Sequence, residues 1–231
     1  MINMKLASVH KAHLPHETQI SSRAHSYLSF IIYHFLFIIS LSVFTSCNKD
    51  EEYDPYDDWQ ARNDAWFATM ADSARTSIEA AKRDYPTGWE DHTEWRMYKS
   101  LMKSDRYQSG NATDSICVRI LKHGTGTTSP ISTDSVYVAF QGYLMPTTDA
   151  QGNRIEKLFA STYQGQFNPG TATYSYSTVS GYKDGFYTAL QYMVAGDSWE
   201  VFIPYQLFYG ETAQNSIPAY STVRFFIHMK E

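Results

Sequence analysis

The chain offers few side chains whose types and spacing suit covalent or metal chemistry. It has no glycine-rich phosphate loop and no HExxH or CxxC motif. His92, His123 and His228 are scattered along the sequence, and none of them belongs to a metal-binding motif. We therefore expect all three histidines on the surface, and we predict neither a metal ion nor a cofactor.

Tyr209 is the best single candidate for binding chemistry. It lies between the apolar Phe208 and Gly210, and a buried tyrosine hydroxyl needs a hydrogen-bond partner. The carbonyl group of a ligand is one such partner. Periodicity alone assigns other aromatic residues to the core, where such residues more often belong: Phe140, Phe186 and Phe225.

The elements that would position these residues follow Ser115. Apolar residues alternate in four runs, which predicts four half-buried antiparallel strands. One short helix is predicted between them, with Phe186, Leu190 and Met193 on one face and Gly196 at its C-terminal cap. Strands wrapped round one helix define an α+β domain. The runs are Ile116 to Ile120, with Cys117 as a small buried residue, Val136 to Phe140, Trp199 to Ile203, and Val223 to Met229.

Helical patterns precede the strands. Residues 57–81 carry an apolar stripe at spacings of three and four, and this helix should end near Asp84-Tyr85-Pro86. A weaker helical pattern covers residues 93–103. The stripe either packs on its own domain or forms a spacer arm or homodimer contact. Its members are Phe67, Met70, Ala74, Ile78 and Ala81.

Short motifs in a fixed order resemble the FKBP family of peptidyl-prolyl cis-trans isomerases. The resemblance implies an antiparallel half-barrel sheet wrapped round one short helix, preceded by N-terminal helices. An apolar pocket would lie between sheet and helix. The motifs are Val136-Tyr137-Val138-Ala139-Phe140-Gln141-Gly142, Leu158-Phe159-Ala160-Ser161, Gly185-Phe186, Met193-Val194-Ala195-Gly196-Asp197, Ile203-Pro204, Phe208-Tyr209-Gly210 and Ile217-Pro218-Ala219-Tyr220-Ser221-Thr222.

The resemblance also implies an activity and a set of site residues. The activity is prolyl isomerisation, or assistance to folding, with proline-containing peptides or unfolded proteins as partners. Tyr209 matches the tyrosine whose hydroxyl points to the ligand carbonyl, and Phe186 replaces the usual tryptophan floor. The wall of the pocket matches Phe140, Phe159, Tyr174, Phe186, Ile217 and Phe225.

Two positions depart from the family pattern. Ala160 stands where the family has an aspartate, and Phe140 stands where it has a tyrosine that usually meets that aspartate by hydrogen bond. Losing one partner would leave a buried polar group unpaired, whereas losing both can be nearly neutral. The alternative function is therefore a catalytically silent FKBP-like module that binds a peptide or protein.

The N-terminal residues read as a targeting segment. An apolar run over residues 27–45 follows three basic residues and a single acid, which predicts a signal peptide over residues 1–46. The run ends at Phe44-Thr45-Ser46-Cys47, which resembles a bacterial lipobox, so Cys47 would be the lipidated N-terminus. The alternative is a transmembrane anchor, because 19 residues can span a bilayer.

Residues after Cys47 suggest a surface lipoprotein. The acidic tract over residues 47–56 reads as a tether, and it resembles the export signal of surface lipoproteins in Bacteroidetes-type bacteria. Removing the leader's one acid and three basic residues leaves 23 acids and 16 basic residues, a net charge of −7, and no basic footprint for nucleic acid. We expect a cell-envelope lipoprotein, in the outer membrane or on the cell surface.

A helical segment over residues 57–110 would precede an FKBP-like domain over 111–231, and residues from about Ser115 should fold alone.

Overall fold

Seven antiparallel strands form the main sheet. The computed structural model describes residues 53–103, 105–107 and 109–231; the signal peptide and Cys47 lie outside them. The sheet has the order β1-β2-β8-β9-β3-β6, and β7 pairs with the same edge of β3 as β6 does. Its strands are β1 (Trp95–Lys99), β2 (Ser115–Lys122), β3 (Ser135–Leu144), β6 (Leu158–Ser161), β7 (Ser175–Thr178), β8 (Ser198–Ile203) and β9 (Val223–Met229), and a separate hairpin joins β4 (Thr147–Thr148) to β5 (Arg154–Ile155).

One face of this sheet carries the main core. The long helix α1 spans Trp59–Asp84. Helix α2, Asp184–Leu190, follows it in the chain and lies on this face of the sheet. Gly185 allows the close approach, because a Cβ atom there would lie 2.2 Å from Cγ2 of Ile203 on β8. The α+β class, the four predicted strands and the short helix are confirmed. The helix ends at Leu190, so Met193 follows it, and Gly196, at φ 89°, serves the turn before β8.

The opposite face of the sheet is covered by α1, Trp59–Asp84. Phe67 and Ala74 of this helix pack on Cys117 of β2 and Phe202 of β8. Burial raises the pKa of the Cys117 thiol to about 12, so this residue is the small buried hydrophobe that its strand predicted. The apolar stripe is thus used within the domain, which removes the sequence argument for a homodimer.

The N-terminal half of α1 is tied to the C-terminal strands. Trp59 belongs to the main core and donates from Nε1 to Ser221 Oγ at 2.9 Å. The backbone N–H of Thr222 donates to Asn63 Oδ1 at 2.9 Å. Residues from Tyr53 to Glu231 form one compact unit, so the predicted boundary at residue 111 falls inside it.

The second predicted helix, over residues 93–103, is wrong. Trp95–Lys99 is the strand β1, which pairs along its length with β2. The spacing of Trp95, Tyr98 and Met102 at three and four suggested a helix, but the edge of the sheet offers β1 a full ladder of backbone hydrogen bonds. A chain that begins at Ser115 would lose β1 as well as Trp59. We therefore expect it to be destabilised, contrary to the expectation from sequence.

His228 is buried, not exposed as predicted. Its side chain is 7% exposed, and its ring stacks on Phe167 with centroids 3.6 Å apart. Nε2 is hydrogen-bonded to Tyr163 Oη at 3.0 Å and Nδ1 to Ser198 Oγ at 2.8 Å. Burial lowers the pKa of His228 to about 4, so the imidazole is neutral at pH 7.

In the part of the chain that the structure describes, no helix has the length and apolar character needed to cross a bilayer.

Candidate functional site

An aromatic cavity of about 400 Å³ opens between α2 and the sheet. Its walls come from β3, β6, β9, α2 and the segments that precede α2 and follow β8. Six of the seven binding residues expected from sequence line it together: Phe140, Phe159, Phe186, Tyr209, Ile217 and Phe225.

Phe225 is the centre of the aromatic wall. Its ring meets Phe186 at a centroid distance of 5.0 Å and Phe159 at 5.5 Å, both edge to face. Phe140 and Phe208 approach it at 6.1 and 5.8 Å. Edge-to-face pairs of this kind are the favoured aromatic geometry, so the rings support one another and leave an apolar hollow.

Gly142 on β3 makes room for these rings. A Cβ atom there would lie 2.5 Å from Cε1 of Phe225 and 2.8 Å from Cζ of Phe159. At such distances any side chain would displace one or both rings. The glycine of the Phe140-Gln141-Gly142 motif therefore leaves room for both rings in the pocket wall.

The two departures from the family pattern meet at this cavity. Phe140 lies edge to face with Phe186 at 5.5 Å, and Ala160 lines the cavity beside Phe159. Neither side chain can donate or accept a hydrogen bond. The wall is therefore repacked with apolar groups where the family pattern has a polar pair.

Tyr209 lies at the edge of the cavity. It is half-buried, and the turn that carries it is closed by a 2.8 Å hydrogen bond from the Gly210 N–H to the carbonyl of Tyr205. Gly210 has φ 63°, a left-handed conformation that favours glycine. A hydrogen bond between the Gln214 N–H and the Ile217 carbonyl, 2.9 Å, shapes the loop that brings Ile217 to the same cavity.

Tyr174 is the expected wall residue that the structure does not bring to the cavity. It lines a different cavity with Phe167 and His228, and Lys230 Nζ lies 5.4 Å from its ring centroid. The physical reason is strand alternation. Tyr174 directly precedes β7, and side chains two residues apart in a strand share a face of the sheet. Tyr174 therefore lies on the same face of the sheet as Tyr176, whereas Phe140 lies on the opposite face.

Sequence analysis missed six of the residues that line the cavity, and three of them have side chains that contact the predicted site residues. Tyr182 stacks on Phe186 with centroids 4.7 Å apart, and Phe208 lies beside Tyr209. Lys183 is the third, with Nζ 5.2 Å from the Tyr209 ring centroid. The spacing of four residues between Tyr182 and Phe186 was the available signal for the stack. Phe208 was visible only as the apolar neighbour of Tyr209.

Tyr182 brings a second phenol to the cavity. Burial raises its pKa. The hydroxyl makes no hydrogen bond of ordinary geometry, although Ser175 lies close enough to oppose part of that rise. Among the described residues, the lining has two phenols and one lysine but no carboxylate, histidine or cysteine. It can hold an apolar ring and hydrogen-bond a carbonyl, and it offers no acid-base pair.

Another cavity, of about 440 Å³, lies at the far end of β3. Tyr137 is the single aromatic residue among the described residues that line it, and its floor includes Asp134, Lys230 and Glu231. A polar, open site of this kind cannot enclose an apolar ring. Among the described residues, no group of three or more histidine, cysteine or acidic side chains could hold a metal ion.

The fold and the cavity together define an α+β domain built to enclose an apolar ring. Residues 126–230 match the family FKBP-type peptidyl-prolyl cis-trans isomerase. This part of the chain is therefore similar to an FKBP-type domain, and the match supports peptidyl-prolyl isomerase activity.

Two solved structures are similar to the chain. A peptidyl-prolyl cis-trans isomerase from Pseudomonas syringae pv. tomato is 21% identical, with a TM-score of 0.40, over 71% of this chain and 93% of that one. The three FKBP domains of wheat FKBP73 are 16% identical, with a TM-score of 0.37, over 55% of this chain and 47% of that one. No curated protein sequence matches this chain.

Proposed function

We propose that the domain isomerises prolyl peptide bonds in proteins or peptides outside the cytoplasm. The observation that carries this proposal is the aromatic cavity of about 400 Å³, with Tyr209 at its edge, within a domain similar to the FKBP type. Phe140, Phe159, Phe186 and Phe225 enclose the proline ring. Tyr209 donates its hydroxyl hydrogen to a carbonyl of the bound segment.

The reaction needs no nucleophile. Rotation about a peptide bond has a barrier of about 18 to 20 kcal/mol, because the twisted amide loses its resonance. Water stabilises the polar planar amide, so an apolar cavity that excludes water lowers the cost of twisting. A cavity that grips the ring and leaves the preceding carbonyl free to turn binds the twisted state better than the planar one.

A silent binding module is the second candidate. It is favoured by the apolar pair Phe140 and Ala160, which leaves the wall with no carboxylate. An NMR exchange measurement on a proline-containing peptide with the full chain separates the two candidates. Acceleration of cis-trans exchange supports the enzyme, whereas binding without acceleration supports the module.

Tyr209 provides the sharper test, with a matched control. Tyr209→Phe should slow exchange by about 2- to 12-fold, the equivalent of one hydrogen bond at about 0.5 to 1.5 kcal/mol. Tyr137→Phe removes a hydroxyl from the polar cavity at the far end of β3 and should leave the rate unchanged. Equal rates for Tyr209→Phe and wild type would remove the tyrosine from the proposed mechanism.

Attachment through lipid on Cys47 places the domain at the cell envelope in this proposal. The support is the sequence alone: an apolar run, small residues, then the cysteine and an acidic tract. The described end of that tract lies against the domain, since Tyr56 packs edge to face on Trp59 at 5.0 Å. Mass spectrometry of the mature chain should find a lipidated N-terminal Cys47. A mature chain that begins elsewhere, with a free Cys47 thiol, would contradict this.

A further inference from the structure

Among the described residues that line the aromatic cavity, Lys183 carries the one charged side chain. The other lining residues are aromatic, aliphatic, glycine, serine or asparagine. Its ammonium group lies over the face of Tyr209, with Nζ 5.2 Å from the ring centroid, which is within the range of a cation–π contact. The lysine is therefore held at the mouth of the cavity, next to the hydroxyl that the proposed function assigns to the ligand.

No carboxylate of the described residues pairs with this lysine. Its neighbour Asp184 is engaged by other groups, since Ser100 Oγ donates to it at 2.6 Å and Thr188 Oγ1 at 3.3 Å. Ala160 adds no acid to the cavity wall. A bound segment thus meets a single positive charge.

The overall charge of the chain opposes acidic ligands, but only at long range. The net charge is −5, and interactions between exposed charges beyond about 8 to 10 Å are largely screened at physiological salt. Consecutive Cα atoms are about 3.8 Å apart. A residue next to a proline in the cavity therefore lies within the unscreened range of Lys183.

We propose that Lys183 makes the cavity select prolines flanked directly by an aspartate or glutamate. The inference rests on the proposed function and narrows its substrate class. A carboxylate beside the proline pairs with Nζ, while the ring occupies the aromatic hollow. Electrostatic attraction raises the population of the bound complex and therefore kcat/KM at low substrate concentration.

The test uses peptides that differ only next to the proline. Full-length protein in a nonionic detergent is mixed with acetyl-Ala-Xaa-Pro-Phe-amide, where Xaa is Glu, Gln or Lys, and with acetyl-Ala-Ala-Pro-Xaa-amide of the same three types. NMR gives both the exchange rate and Kd for each peptide. In at least one series, the affinity and the exchange rate measured with the Glu peptide should exceed those measured with the Gln peptide by about two- to fivefold. This factor corresponds to the free energy of an exposed ion pair. The difference should shrink at high salt.

Variants separate the lysine from general charge effects. Lys183→Gln should abolish the preference and Lys183→Glu should reverse it. Lys230→Gln is the matched control, since Lys230 Nζ also lies 5.2 Å from a tyrosine ring, that of Tyr137, but outside the cavity. This control should keep the preference of the wild type.

Two outcomes overturn the inference while the proposed function stands. One is equal binding and exchange of Glu and Gln peptides in both series, and the other is a preference that survives in Lys183→Gln. A folded protein that neither binds nor accelerates any of the six peptides overturns the proposed function itself, and the inference with it.

Discussion

The buried His228 predicts an acid-sensitive fold. In the native state its pKa is about 4, because burial disfavours the charged imidazolium. In the unfolded chain the group has its ordinary value of about 6.5. Between these values the unfolded chain binds a proton that the folded chain does not. The free energy of unfolding therefore falls as pH falls from about 6.5 toward 4.

The size of the effect follows from the two pKa values. A difference of about 2.5, at about 1.36 kcal/mol for each pKa unit, gives a full contribution of about 3 kcal/mol above pH 6.5. Most of it is lost by pH 4.5. That is a large part of the 5 to 15 kcal/mol typical of a folded domain.

Other groups around His228 do not reverse this sign. Tyr163 and Ser198 are neutral partners at hydrogen-bond distance, and burial raises the pKa of Tyr163 to about 12. Lys122, Lys230 and Glu231 line the adjoining cavity. Elsewhere in the domain, Glu156 adds to the loss of stability at acidic pH. Burial opposes its charge, but Arg154 and Arg224 hold its pKa below the ordinary range.

The assay is urea unfolding of residues 53–231, followed by tryptophan fluorescence, at intervals from pH 4.5 to 7.5. His228→Gln removes the titrating group and keeps an amide that can hydrogen-bond to Tyr163. Its unfolding free energy should change by about 2 to 3 kcal/mol less than that of wild type over this range. His123→Gln, at an exposed site, should follow the wild type. The same pH dependence in wild type and His228→Gln would refute this reasoning.

Further predictions concern the pocket wall, the N-terminal elements and the rate. Gly142→Ala should lower stability by about 1 to 3 kcal/mol and weaken peptide binding in an NMR titration, because its Cβ displaces the Phe225 and Phe159 rings. Gly170→Ala is the control, because its added Cβ atom would contact only Asn168 Oδ1, at 3.4 Å. This substitution should change neither stability nor peptide binding. Removing residues 1–110 should lower the urea midpoint relative to residues 53–231; equal midpoints would show that α1 and β1 are not part of the stable core. The exchange rate of the folded protein should be constant from about pH 5 to 8, because none of the described side chains that line the cavity is of a type with an ordinary pKa in this range. A bell-shaped rate profile would indicate an ionisable catalytic group.

The strands were predictable because each buries one face along its length. Val136 to Phe140 and Val223 to Met229 alternate as a half-buried strand requires, and both form in the sheet. The same alternation assigned His228 to solvent. Its outward face is instead covered by Tyr163 and Phe167 from the segment that joins β6 to β7, a contact between residues distant in sequence.

The site was predictable where short motifs lie on regular elements. Phe140, Phe186 and Phe225 come from β3, α2 and β9, and all three line one cavity. Lys183 lies in the turn before α2, where no periodicity applies. Its position over Tyr209 depends on how that turn meets the segment after β8, which only the folded chain shows.

NMR exchange of a proline-containing peptide by the full-length protein tests the central claim most directly, with two substitutions on one strand. Phe225 faces the cavity, whereas its neighbour Phe226 faces the other side of the sheet, where it packs on Tyr143 at 6.1 Å. We predict that the wild type accelerates cis-trans exchange, that Phe225→Leu loses most of this acceleration, and that Phe226→Leu retains it. No acceleration by the folded wild type, or equal loss in both variants, would contradict isomerisation in the aromatic cavity.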